Sequence, residues 1–551
     1  MGSLGRQDPT YDYIVVGGGS SGCTVAARLS EDPDCKVLLL EAGARDWNPY
    51  IHLPVCYYKT TKGPLTWDFA LSSQVHQDGI TPPYTQARVL GGGSSINAQV
   101  YIRGVAADYD HWEASGCPGW SYQDVLPYFM RAEANERFAD TYHGTDGPLG
   151  VSDQRHTHPL SKAFIKACQE YGMPYNADFN GHDQRGTGLY QVTNRNGRRC
   201  SAAVAYLGAA RKRPNLEVRT GCVVRRIVIE GGRAVGIEGV TGKRPFFARA
   251  EREVVLTAGA ISTPKLLMLS GIGPAKHLSA HGIRSVVDLP GVGQNFHDHL
   301  DIFMMYNVTR IESYDVYKKA HRQVWAGLQY ALFRNGPISA TVVEGGAFWP
   351  ADGNDPSTDI QFHFLAGTGI EAVTGDQSTG NGCTLNAYLV RPRSRGTVSL
   401  ASADLARAPV IDPNFLSEKF DLDHTVESVR IGQDIMARPS MSKYIANEFM
   451  PGPAVRNRAD YETYVRRESR SGYHPVGTCR MGEDDLAVVD PELRVRGVDG
   501  LRVADASIMP RLVSGNTNAP TIMIGEKASD LLKGNRKAMT PVTTGLAYAA
   551  E

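Results

Sequence analysis

The sequence predicts an α/β protein in which a discontinuous Rossmann-like dinucleotide-binding domain carries an α+β second domain built on an antiparallel sheet. Three observations point there. A complete β-turn-α-β unit opens the chain around Gly17-x-Gly19-x-x-Gly22. Apolar, β-branched segments of the same kind return between residues 216 and 256 and again near Leu501. The stretch from about Asp301 to Met450 changes to alternating strands.

In the opening unit, Tyr11-Asp12-Tyr13-Ile14-Val15-Val16 suits a buried parallel strand, and the small and apolar residues from Cys23 to Leu29 suit a helix. Lys36 to Leu40 reads as a second buried strand that ends at Glu41. Gly17 permits the tight turn, Gly19 lets a pyrophosphate approach bare backbone, and Gly22 lets helix and strand pack closely. Ser20 and Ser21 lie at the helix N-terminus, where free N–H groups and the positive dipole end favour phosphate. Glu41, with Ala42 beside it, is placed to accept hydrogen bonds from the adenosine ribose hydroxyls. An acid there argues against a 2′-phosphate. The alternative, a merely structural glycine turn, is weakened by the strand before it and the helix after it.

Further strands are expected at Leu216-Val218, Arg226-Ile229, Val254-Leu256 and Leu501-Val503. Helices are expected from Pro264 to Leu269, capped by Ser262 or Thr263, and from about Ala519 to Leu532. Asp359 to Phe364 and Thr384 to Leu389 alternate in polarity and read as antiparallel strands with one wet face.

The 58 basic and 58 acidic side chains cancel, so no overall field favours nucleic acid or an anionic membrane. No apolar run is long enough for a transmembrane segment. Residues 1–10 are polar, without the apolar core of a secretory signal, and Arg6 occupies the position where a myristoylation signal wants Ser or Thr. The nine cysteines form no CxxC pair and read as buried thiols in a reducing compartment, so a cytoplasmic location is expected.

A second glycine-rich segment runs Ala87-Arg88-Val89-Leu90-Gly91-Gly92-Gly93-Ser94-Ser95-Ile96-Asn97. Downstream come Gly259-Ala260-Ile261-Ser262-Thr263-Pro264, Gly291-Val292-Gly293-Gln294-Asn295-Phe296-His297-Asp298-His299, Tyr473-His474-Pro475-Val476-Gly477-Thr478 and Asp505-Ala506-Ser507-Ile508-Met509-Pro510. In this order, over about Tyr11 to Leu532, the chain resembles the glucose-methanol-choline (GMC) oxidoreductase family.

The resemblance implies an FAD-binding domain in three parts (8–155, 214–300, 466–535) and a substrate domain in two (156–213, 301–465). It implies further FAD contacts from Trp67, Arg88, Gly91, Gly92, Asn97, Ala98, Val100, Val224, Asp505, Ala506 and Thr521, that of Val224 through its backbone to adenine. Members with covalent flavin attach it through a histidine just before the signature asparagine. Ile96 stands there, so noncovalent FAD is expected. Ala98 replaces a serine of choline-type members.

The family's catalytic pair maps onto His474 and Asn518, a spacing that favours Asn518 over Asn516, which reads as a turn residue. Oxidising an alcohol to an aldehyde by hydride transfer to flavin N5 also requires removal of the hydroxyl proton, for which a histidine base is suited. An amide donor to the same oxygen orients the C–H bond. The primary-alcohol reading leaves dioxygen or another electron carrier as acceptor. A hydroxynitrile lyase with non-redox FAD is the alternative, disfavoured by the missing secretory signal. Phe362, Phe364 and Tyr473 are expected to line the substrate pocket, with Glu344 either near substrate or in a structural ion pair. His156, His158, His297, Asp298 and His299 complete no metal spacing, and no metal is expected. The sequence carries no signal for oligomeric state.

Overall fold

The computed structural model describes residues 9–352, 359–368 and 380–534. Its principal strands, in chain order, begin with β1 (Thr10–Val16), β2 (Val37–Glu41), β3 (Gly186–Leu189), β4 (Leu216–Thr220), β5 (Cys222–Glu230), β6 (Arg233–Thr241) and β7 (Arg244–Leu256). They continue with β8 (Leu300–Val308), β9 (Val343–Trp349), β10 (Ile360–Leu365), β11 (Gly382–Leu389), β12 (Ile445–Met450), β13 (Arg470–Ser471) and β14 (Leu501–Val503). The helices that concern the site and its surroundings are α1 (Ser20–Leu29), α2 (Pro159–Tyr171), α3 (Gly259–Leu269), α4 (Ala320–Phe333), α5 (Lys419–Met436) and α6 (Asn518–Leu532).

The first sheet has the order β4-β2-β1-β7-β6-β5, with β14 also on β7. β7 is long enough to do two jobs. Its first half pairs antiparallel with β6, and its second half pairs parallel with β14 and, on the other side, with β1. β2 is buried along its whole length, which explains why Val-Leu-Leu-Leu shows no alternation. α1 packs on α6. The approach depends on Gly525, where a Cβ would lie 2.9 Å from the Ser21 carbonyl oxygen.

α3 starts at Gly259, earlier than expected, and neither Ser262 nor Thr263 caps it. The Thr263 hydroxyl instead donates to Asp505, 2.6 Å away. Pro264 sits inside the helix and cannot donate to the Ala260 carbonyl. The Thr478 hydroxyl takes that place at 2.6 Å, tying α3 to the loop after His474.

The second sheet, order β12-β8-β11-β10-β9-β3, is antiparallel throughout, with β13 added to the start of β8. Asp301, Tyr388 and Gln361 stand opposite one another across β8, β11 and β10, as do Phe303, Asn386 and His363. Side chains alternate, so Gln361 and His363 share one face and Phe362 and Phe364 the other. Phe362 and Phe364 belong to the apolar core beneath α2 and α5, and Phe364 stacks on Phe164 at 4.8 Å. They do not line the pocket. Their alternation was legible, but which face meets the site depends on cross-strand neighbours. The polar face is not wet either, since every residue of β10 is buried. On that face His363 lines an internal cavity.

Candidate active site

A cavity of about 1290 Å³ runs from the first glycine turn to His474. At one end Gly17, Gly19 and Ser20 face it, followed by Glu41 and Ala42. Gly17 has φ +112°, open to glycine alone at low cost. Gly22 lies behind the wall, where a Cβ would come within 1.9 Å of the Gly17 carbonyl oxygen. Glu41 accepts from the amides of Gly18 (2.9 Å) and Gly43 (2.7 Å). Each carboxylate oxygen retains a further lone pair for a hydroxyl donor. Burial raises its pKa, and these two amides pull the other way. Ser21 lines the cavity and its hydroxyl donates to the Ala504 carbonyl.

The second glycine segment docks on the first. The Gly91 amide donates to the Gly18 carbonyl at 2.7 Å, and a Cβ on Gly92 would meet the Gly19 Cα at 2.7 Å. Gly92 faces the cavity, whereas Gly91 stands behind it. Two bare-backbone turns thus back the cavity where a pyrophosphate would pass.

Trp67, Arg88, Asn97, Ala98, Val100, Val224, Asp505, Ala506 and Thr521 all face the cavity. The Arg88 guanidinium lies 4.5 Å over the Trp67 ring. Arg199 donates to Asn97 at 2.7 Å. Asp505 accepts from the Gly259 and Ser507 amides, both at 2.8 Å, besides Thr263, so its carboxylate joins α3 to the loop after β14. Ile96 packs against Ile51, Leu65 and Val89 and contributes only hydrocarbon to the cavity wall.

At the far end stand His474, Tyr473, Asn516, His363, Tyr388 and Asp301. Tyr473 adopts φ +61°, a left-handed conformation costly for a bulky residue. It is held by its amide on the Ser471 hydroxyl (2.8 Å), and the next amide, that of His474, donates to Asp298 (2.6 Å). Asp298 also accepts from Tyr84 (2.6 Å) and Ser471 (2.5 Å). Burial pushes this carboxyl up to about 6 despite those donors.

The hydrogen-bond pattern assigns the proton on each ring of a histidine pair. His299 Nε2 lies 3.1 Å from both the Val390 and Val513 carbonyls, which only accept, so Nε2 carries the hydrogen. Burial, followed by the neighbouring His474, holds His299 well below the ordinary imidazole range, hence neutral, with its lone pair on Nδ1. That Nδ1 is 3.0 Å from His474 Nδ1, so His474 donates there and keeps its own lone pair on Nε2. His474 lines the cavity, and burial pushes it down to about 4.

The amide facing that lone pair is Asn516, not Asn518. Asn516 Nδ2 is 3.3 Å from His474 Nε2, and Gln361 donates to Asn516 Oδ1 at 3.1 Å, which fixes the amide's orientation. Asn518 opens α6, and its Oδ1 accepts from Ser20 at 2.8 Å. Spacing along the chain favours Asn518, but the helix start turns that asparagine toward the glycine turn and leaves Asn516 at His474.

Sequence reasoning left His299, His363, Gln361 and Asp298 without a role. The segment with His297, Asp298 and His299 carries part of the family resemblance and completes no metal spacing, but its pattern does not disclose these contacts. His297 is structural, bonded to the Asn295 carbonyl (2.8 Å) and the Leu512 amide (2.8 Å). Among the described residues no cluster of three metal-ligating side chains occurs. His158 bonds the Leu160 amide at the start of α2. Glu344 lies outside the cavity, accepting from the His158 amide, Ser161 and Tyr314. That network is structural.

A dinucleotide-type sheet, two glycine turns and a histidine with its lone pair held toward one shared cavity define a cofactor-dependent enzyme. Comparison with known proteins supplies the family. Models described as GMC oxidoreductase match residues 11–301 and 392–525. The chain is 43% identical over 528 residues to an alcohol dehydrogenase (acceptor) of Pseudomonas putida, covering 95% of each. It is 41% identical over 530 residues to an oxygen-dependent choline dehydrogenase of Brucella ovis, again covering 95% of each. Among solved structures, pyridoxine 4-oxidase from Mesorbium loti superposes with TM-score 0.86 at 31% identity, covering 94% of this chain and 98% of that one. The protein belongs to the GMC oxidoreductase family.

Proposed function

We propose that this protein oxidises a primary alcohol to an aldehyde with noncovalently bound FAD, His474 serving as the base. The observation that carries this reading is the His474 Nε2 lone pair, aimed into the cavity beside the Asn516 amide. FAD is the group implied by relatives that oxidise alcohols, and the residues fit it. Two bare-backbone turns and the α1 N-terminus suit pyrophosphate. Glu41 suits the ribose, Val224 the adenine through its backbone, and Trp67, Arg88, Asn97, Ala98, Val100, Asp505, Ala506 and Thr521 line the remaining length. Ile96 has no atom through which to bond a flavin, which favours noncovalent attachment. On this reading the first sheet and its segments 8–155, 214–300 and 466–535 hold FAD, and the rest holds substrate.

When bound, FAD supplies the hydride acceptor. The chain's residues manage the proton and the geometry. Asn516 Nδ2 donates to the substrate oxygen, and His474 Nε2 accepts the hydroxyl proton. His299 holds His474 in the productive tautomer, and Gln361 holds Asn516. His363, Tyr388 and Tyr473 bound the space beside that oxygen and exclude water. Dioxygen or another electron carrier closes the cycle. The unpaired thiols suit a reducing compartment, and we place the enzyme in the cytoplasm. The relatives named above are dehydrogenases and an oxidase, which favours redox over cyanohydrin cleavage.

The test is anaerobic mixing with a panel of alcohols, followed by oxygen. Bleaching of the visible flavin band by a primary alcohol is expected. Cyanide release from mandelonitrile with no bleaching by any alcohol would replace this reading with the lyase.

A further inference from the structure

The sequence from Lys318 to Arg334 contains no acidic residue and four basic ones, Lys318, Lys319, Arg322 and Arg334. Its helix, α4, inverts the usual arrangement of a surface helix. Only Ala326 and Tyr330 are buried, Tyr330 anchoring the helix through its hydroxyl on the Gly197 carbonyl at 2.9 Å. The opposite side exposes Val324 (73%), Trp325 (66%), Leu328 (50%) and Leu332 (64%), with Phe333 (67%) at the end. At 100° per residue the first four fall within about a third of the helix circumference. Water gains nothing from such a stripe, and a continuous exposed apolar patch marks a contact surface.

We propose that α4 lies in the interfacial plane of an anionic lipid membrane, its apolar stripe among the acyl chains and its basic flanks on the headgroups. Three features select that occupant. The local charge is net positive: Lys318 and Arg322 are paired, with Asp315 (2.7 Å) and Glu312 (3.5 Å), while among the described residues no carboxylate pairs with Lys319 or Arg334, which leaves two cations in excess. The chain is neutral overall, so this is a local field, not a global one. Composition is that of an in-plane helix, with Trp and Leu on one side and Lys and Arg beside them. Length excludes a span, because α4 has 14 residues where about 20 are needed. A second copy of the chain is the weaker occupant, since a two-fold contact through α4 sets one basic flank against the other.

The experiment is co-sedimentation of the purified, flavin-loaded enzyme with vesicles of equimolar phosphatidylglycerol and phosphatidylcholine, and with phosphatidylcholine alone. Binding is expected on the anionic vesicles, weakened at least about tenfold in the neutral ones or in high salt. The double variant Trp325→Ser, Leu328→Ser should lose at least about tenfold in partitioning. Lys319→Glu with Arg334→Glu should reduce binding to the anionic vesicles alone. Both variants should keep their flavin colour and their solution rate of alcohol oxidation, which separates a lost surface from a lost fold. No sedimentation with anionic vesicles, equal binding to neutral ones, or unchanged binding by the serine variant would overturn the proposal. A dimer that the serine substitutions dissolve, with no vesicle binding, would assign the face to a second copy.

Discussion

The Nδ1 atoms of His299 and His474 lie 3.0 Å apart, and the two carbonyls on the far side of His299 dictate which of them carries the hydrogen. His299→Leu removes the acceptor for His474 Nδ1–H and releases the tautomer. We expect flavin content to be unchanged and the rate of flavin reduction to fall about tenfold or more. His299→Asn, whose Oδ1 can occupy the acceptor position, should recover part of that loss. Equal rates in the leucine and asparagine variants would remove the tautomer argument.

Asn516 and Asn518 should separate cleanly. Asn516→Ala should lower kcat/KM by about tenfold to a hundredfold, because an oriented donor to the reacting oxygen is lost. Asn518→Ala should spare the chemical step and loosen the α1 N-terminus, since Asn518 bonds Ser20 there. Single-turnover flavin reduction and flavin retention, measured on both variants, distinguish the two outcomes.

Glu41→Ala should weaken flavin retention without changing the chemistry of whatever holoenzyme remains. Flavin content after prolonged dialysis is the measurement, and retention equal to the parent enzyme would count against contact with ribose.

Burial pushes His474 and His158 each down to about 4 and His363 to about 3. Unfolded, these imidazoles titrate near about 6.5. Between those values the unfolded chain binds protons that the folded chain refuses, so stability rises with pH across that window and is lost as pH falls from about 6.5 toward 4. At roughly 1.4 kcal/mol per pH unit for each group, the three together give a steep acid loss. A thermal melting series should show the midpoint dropping through that range. A flat profile between pH 6.5 and 4.5 would contradict neutral burial of these rings.

Much of the nucleotide half was legible because its requirements are local. A turn needs Gly17, a close helix approach needs Gly22, and a buried strand shows as Val-Leu-Leu-Leu. The substrate half was less so. The sequence shows that Phe362 and Phe364 share a face, but only pairing with β9 and β11 decides that this face meets α2 and α5 while His363 on the other face lines the cavity and Gln361 bonds Asn516. The choice between two asparagines two positions apart turned on where α6 begins. The link from His299 to His474 spans 175 positions, and no periodicity encodes a contact at that distance.

The most direct test of the central claim is stopped-flow flavin reduction by the best alcohol in the parent enzyme and in His474→Ala, without oxygen. The variant should remain yellow and reduce its flavin at least about a hundredfold more slowly. Reduction at the parental rate would show that the proton leaves by another route and that His474 is not the base.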